Sequence, residues 1–165
     1  MSAKEKFLQT FDQELATTMR VLRAFPTEKS DLRPHPKAKN ARELAYVFVA
    51  ECNLAQKVWN DEFAKGMPSG PYPTAPETFE GVLTALEQAA KEWRARVAGA
   101  SDEELRQTVS FFTGPKQMGP ISRIDWAWFL LHDQIHHRGQ FSVYLRMADA
   151  KVPSIYGPTA DEPWM

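Results

Sequence analysis

The chain lacks most of what would place it outside the cell or against a charged polymer. Cys52 is its single cysteine in 165 residues, so no internal disulfide can form and a reducing compartment is expected. No apolar run approaches the roughly 20 residues needed to cross a bilayer. The opening "MSAKEKFLQTFDQEL" is charged from its start, without the apolar stretch of a secretion signal. Neither sign of charge is in excess, since 20 basic and 21 acidic residues leave a formal charge of −1. That balance gives no electrostatic footprint for nucleic acid or an anionic membrane surface. No internal repeat is visible. These absences predict a cytoplasmic protein with neither a nucleic-acid nor a membrane partner.

What is present suits a packed core. The sequence is 43% hydrophobic, with five tryptophans and ten phenylalanines, and its length predicts a single domain over residues 1–165. Four helical stretches alternate with proline-rich connections. The first covers about residues 2 to 24, where Phe7, Phe11, Leu15, Met19 and Leu22 recur at helical spacing. Asn40 with Glu43 reads as a capping box for the second. Leu44, Val47, Leu54 and Val58 form its apolar stripe, and Gly66 is expected to close it. Pro76 can open the third, whose core face holds Phe79, Leu83, Leu86, Trp93 and Val97. "SDEEL" is a short capped turn. "LRQTVSFFTGPKQMGP", broken by two Gly-Pro steps, reads as an ordered loop with one strand-like stretch. The fourth helix runs from about Ser122 to Ala148, and the proline-bearing tail beyond it is non-helical. The pattern predicts an all-α, four-helix bundle.

The fourth helix carries the candidate chemistry. "HDQIHHRGQ" puts three of the four histidines and an aspartate into six consecutive positions. Each helical residue turns the side chain by about 100°. With His137 at zero, Trp126, Leu130, Phe141, Tyr144, Ala148 and Asp133 all fall within about 40°. His132 and His136 lie about 100° or more away, on a flank shared with Gly139 and Val143. Asp133 and His137 are therefore expected to be buried, with His132 more exposed. On the second helix Glu51 falls in the stripe that should be buried. A buried carboxylate is costly unless paired, protonated or bound to a cation. Glu51, Asp133 and His137 on facing helices are the raw material of a bundle-core metal site. Imidazole and carboxylate together suit zinc, nickel, iron or manganese. The bland readings are a helical Asp133–His137 pair and a Glu51 ion pair with Arg138 or Arg42. Cys52 reads as a small buried hydrophobe.

The stretches "RPHPKAKNARELAYVFVAE" and "HDQIHHRGQFSVYLRMADAKVPSIYGPTADEPW" resemble the DinB-like family over essentially the whole chain. The resemblance implies a four-helix bundle of up-down-down-up course, with the non-helical tail packed on it, often dimeric. It implies a divalent metal, zinc or nickel, held by three side chains. One is a second-helix histidine, and two sit four apart on the last helix. His137 falls on the last ligand. Asp133 falls on its partner, usually histidine but a carboxylate in an isomerase-like branch. The second-helix histidine falls on Val47, which cannot bind metal, while Glu51 lies one turn further along the same face. Characterised relatives include thiol-dependent transferases and a maleylpyruvate isomerase that uses a low-molecular-weight thiol.

Three functional readings follow. The first is a metal-dependent enzyme of thiol-transferase or isomerase type. Glu51, Asp133 and His137 would hold the cation, and His136 or His132 would shuttle protons. A low-molecular-weight thiol would be the cosubstrate, with Tyr144, Tyr156 and Trp126 walling the pocket of a small-molecule substrate. The second is a non-catalytic, stress-related small-ligand binding protein with a degenerate metal site, the reading that Val47 favours. The third is metal-free acid–base chemistry by the histidine cluster. A homodimer is also expected, from the family habit and from Trp59, Trp128 and Phe129 lying off the core stripes.

Overall fold

The computed structural model describes residues 1–68 and 73–165. Helix α1, Ala3–Arg23, opens with a capping box in which the Ser2 hydroxyl accepts from Glu5 N while the Glu5 carboxylate accepts from Ser2 N. Helix α2, Ala41–Trp59, is opened the same way by Asn40 and Glu43. Two expected boundaries move. Helix α2 stops at Trp59, so Gly66 (φ 104°) instead ends a separate 3-10 turn, Glu62–Lys65. Helix α3, Phe79–Gly99, begins after Thr78, whose hydroxyl accepts from Gly81 N; Pro76 lies before that cap. The capped turn after Ser101 is the short helix α4, Asp102–Arg106.

The expected loop after α4 is a β-hairpin. Strands β1, Thr108–Gly114, and β2, Gln117–Ser122, pair antiparallel with a register irregularity between Phe112 and Gly114. Gly-Pro steps did not prevent this, because in a two-stranded sheet both strands are edges and Pro120 opposite Ser110 leaves no central ladder bond missing. The Asp61 carboxylate, in the left-handed region at φ 56°, accepts from Ser110 N at 2.6 Å and ties the hairpin to the end of α2. The all-α expectation therefore gives way to a mostly helical chain with a small two-stranded sheet. Helix α5, Arg123–Met147, follows directly, capped by Ser122.

Four long helices contact one another in a closed cycle, α1 with α3 and α5, α2 with α3 and α5. Named contacts fix their relative directions. Lys4 reaches the carbonyl of Ala100 while Arg94 binds Asp12, so α1 and α3 run antiparallel. Arg138 meets Glu14, Thr18 and α1 as Phe7 meets Trp128, so α1 and α5 run parallel. Arg123 donates to the Trp59 carbonyl and Tyr144 to the Lys39 carbonyl, so α2 and α5 run antiparallel. The shared core is aromatic at its centre, with Trp59, Trp93 and Trp126 each essentially inaccessible. Trp59 stands edge-on to Trp93 at 5.4 Å. It therefore gives no support to a dimer surface, whereas Phe129 is exposed and Trp128 half-buried. Beyond α5 the tail is held by side chains. Asp161 pairs with Arg146 and accepts from Val152 N, and the Tyr156 hydroxyl donates to Glu14. Among the described residues no helix is long and apolar enough to cross a membrane.

Candidate metal centre

Antiparallel packing of α2 on α5 brings the middle of one helix to the middle of the other. Glu51 stands opposite His137, with Oε1 2.7 Å from Nδ1, and Asp133 Oδ1 lies 4.0 Å from the same nitrogen. One ligand atom from each of the three lies within 4.8 Å of the others. The side chains are graded in depth: Glu51 is 8% exposed, His137 20% and Asp133 44%. The cluster therefore has a closed floor at Glu51 and an open rim at Asp133. Phe48, one turn's rotation from Glu51 on α2, meets the His137 ring edge-on at 6.3 Å and supports it from the core side.

The sequence expectation that Asp133 and His137 are buried needs correction, and the reason is geometric. The buried arc of α5 includes Gln134 and Arg138 as well as the apolar residues. Those two polar residues lie about 60° and 100° round from His137, so the centre of the arc is displaced toward them. Asp133 and His137 fall on its edge, facing α2 and solvent together. His132 is exposed, as the arc implies.

Whether the three groups suit a cation turns on their unmet bonding. Both Glu51 oxygens and His137 Nδ1 are shielded from solvent, and the short Glu51–His137 approach lacks hydrogen-bond geometry. Convergent lone pairs with no donor directed between them are what a bound cation, or a shared proton, would satisfy. Burial pushes the Glu51 carboxyl up to about 7, against the opposing pull of His137. Contact with Glu51 pushes the His137 imidazole up from its ordinary value, outweighing its own burial. A cation competes for the same lone pairs. The donor set, two carboxylates and an imidazole, fits a divalent ion of the zinc class.

The alternative pairing of Glu51 with an arginine is excluded by where the arginines go. Arg138 is 1% exposed and points to α1, where Nη2 pairs with Glu14 at 2.6 Å and Nη1 reaches Thr18. Its planar group also lies over the Tyr156 ring at 5.1 Å. Arg42 donates to the Pro76 carbonyl. Arg138 is the residue that periodicity missed; Glu14 and Thr18, one turn apart on α1, were the available signal. Cys52 is buried, accepts weakly from Gln134, and burial pushes its thiol up to about 12, so it stays protonated.

The remaining candidate residues scatter. His136 is exposed beside the cluster, its ring 5.4 Å from that of His137 and its Nε2 2.8 Å from Gln140. His132 lies against Trp128, about 140° around α5 from His137, and does not join the cluster. Tyr144 is two turns beyond His137, its hydroxyl donating to the Lys39 carbonyl at 2.8 Å. Trp126 is wholly buried, hydrogen-bonded to the Ala55 carbonyl, and serves the core. Tyr156 belongs to the Arg138–Glu14 cluster.

A model of the DinB family matches residues 1–164. An uncharacterized Bacillus subtilis protein, YrdA, is 24% identical over 159 residues, which are 96% of this chain and 90% of that protein. A DinB-like protein from Bacillus cereus superposes with a TM-score of 0.75 at 20% identity, covering 92% of this chain and 97% of its own. The DinB-like YjoA of Bacillus subtilis gives 0.69 at 12% identity, covering 97% and 99%. At these identities the structural likeness speaks for the fold alone. The family match covers nearly the whole sequence, and the chain belongs to the DinB family.

Proposed function

We propose that this protein is a metal-dependent enzyme whose centre is held by Glu51, Asp133 and His137 in an up-down-down-up four-helix bundle. The bundle reading is supported by the pairwise directions of the four long helices. The observation that carries the metal is that both Glu51 oxygens and His137 Nδ1 are buried without a hydrogen-bond partner, 2.7 Å apart at their closest and at a shared focus with Asp133. A divalent cation held there would supply Lewis acidity, lowering the pKa of a bound thiol or water. The chain's own residues set the rest. Glu51 closes the floor and excludes water from beneath, Phe48 fixes the imidazole plane, and Asp133 leaves the rim open to a substrate. His136, exposed beside the rim, would take or return a proton in this reading.

The finer reading is thiol transfer or isomerisation with a low-molecular-weight thiol as cosubstrate, supported by the resemblance to family members of that type. A cytoplasmic homodimer acting on a small molecule completes the proposal, supported by the single cysteine and by exposed Phe129. The second reading, a binding protein with a degenerate site, is favoured by Val47 at the expected histidine position. Elemental analysis of protein purified without an affinity tag decides between them. About one equivalent of zinc or nickel, lost in Glu51→Gln, supports the enzyme; no stoichiometric metal in protein grown with both, and no uptake on titration, refutes it.

A further inference from the structure

A cavity of about 570 Å³ lies on the outer flank of α2, within the size range of small-molecule sites. Val47, one turn before Glu51 on the same side of α2, lines it, and is the lining residue nearest in register to the cluster. Its walls are apolar along Val47, Ala50 and Ala75, and its charged lining is Lys39, Arg42 and Glu43. The signs do not cancel there. Glu43 is committed to Arg33 at 3.0 Å and to the backbone of Asn40. Arg42 donates to a carbonyl, that of Pro76, and among the described residues makes no ion pair. Among the described residues the Lys39 ammonium makes no hydrogen bond or ion pair, although its backbone is pinned to α5 through Tyr144. The Lys39 charge is felt at Glu43, whose carboxyl it helps hold down, and at His137, whose imidazole it opposes.

We infer that this cavity is the substrate pocket of the centre and that it selects a carboxylate-bearing small molecule with an apolar body, read by Lys39. The apolar body lies along Val47 and Ala50, and the carboxylate meets a water-exposed cation that among the described residues makes no hydrogen bond or ion pair. Arg42, held by Pro76, adds a fixed positive field without needing to move. The two carboxylates of the cluster would repel such a ligand, and a divalent cation between them offsets that repulsion. In this respect the inference rests on the proposed function, whereas Lys39-dependent anion binding is measurable by itself.

The test uses hexanoate and its neutral counterpart hexanamide, titrated at fixed ionic strength into the full chain, with and without one equivalent of zinc. Binding is followed through the Val47 methyl resonances. Wild type should bind hexanoate more tightly than hexanamide, and Lys39→Gln should weaken hexanoate about tenfold, the loss of one charge-assisted contact, with hexanamide unchanged. Lys39→Arg should retain most of the affinity. Equal binding of both probes, or hexanoate affinity unchanged in Lys39→Gln because the zinc alone takes the carboxylate, overturns the inference. No hexanoate binding by wild type overturns it too. Zinc affinity of the same variant, unaltered by Lys39→Gln, is read separately. Lys39-dependent hexanoate binding by a protein that takes up no zinc would keep the anion site and refute the metal centre instead.

Discussion

In metal-free protein the Glu51 carboxylate should be a liability that glutamine removes. Burial raises its carboxyl from 4.5 to about 7. The folded state therefore holds a proton between those values that the unfolded chain has released, so stability is highest below about pH 4.5 and is lost as pH rises through 7. His137, also raised, adds in the same direction, its share being lost as pH climbs past its ordinary range. The Glu51 shift corresponds to on the order of 3 kcal/mol at alkaline pH. Glutamine keeps the shape of the protonated acid but forfeits the contact with His137, which leaves a net gain of about 1–3 kcal/mol at pH 8. For a chain of this size that is a rise of roughly 3–10 °C in Tm. The assay is thermal unfolding of wild type and Glu51→Gln, both in EDTA, from pH 5 to pH 8.5. The advantage of the variant should shrink to under about 1 kcal/mol near pH 5, where Glu51 is protonated in the folded state and partly protonated in the unfolded chain. A variant less stable than wild type at pH 8, or an advantage independent of pH, would refute the reasoning.

Other substitutions test other parts of the account. Val47→His places an imidazole one turn from Glu51 and should tighten zinc binding about tenfold or more in competitive chelator titrations; an unchanged affinity would show that position 47 does not face the centre. His132→Ala should leave zinc affinity within about twofold of wild type, since the ring lies against Trp128. Arg138→Met removes the cation paired with Glu14, leaving that carboxylate only the Tyr156 hydroxyl, and should cost about 3–5 kcal/mol in urea unfolding, as for a broken buried ion pair; a loss under about 1 kcal/mol would mean that solvent already screens the cluster.

The helices were legible because their signals are local. The reciprocal Asn40–Glu43 cap and the Ser122 cap lie in the sequence as they lie in the fold. The hairpin was not, since its pairing depends on contacts such as Asp61 with Ser110, separated by 49 positions. The facing of α5 was half legible. An apolar arc counts Phe141 and Tyr144 but not Gln134 or Arg138, whose burial is made tolerable by Cys52, Glu14 and Thr18 on other helices. That omission swung the inferred interior toward His137, which stands at its edge. Glu51 stood out because a carboxylate in an apolar stripe needs a partner, and its partner lay on α5. Arg138, adjacent to that partner in sequence, turned to α1 instead.

The central claim is that Glu51, Asp133 and His137 converge on one divalent cation. Anomalous diffraction above and below the zinc absorption edge, from crystals grown with one equivalent of zinc, tests it most directly. The account predicts a single strong peak bounded by the Glu51 carboxylate, His137 Nδ1 and the Asp133 carboxylate, absent from Glu51→Gln crystals. A peak at His132 or His136 with none at Glu51, or no peak at all, would contradict it.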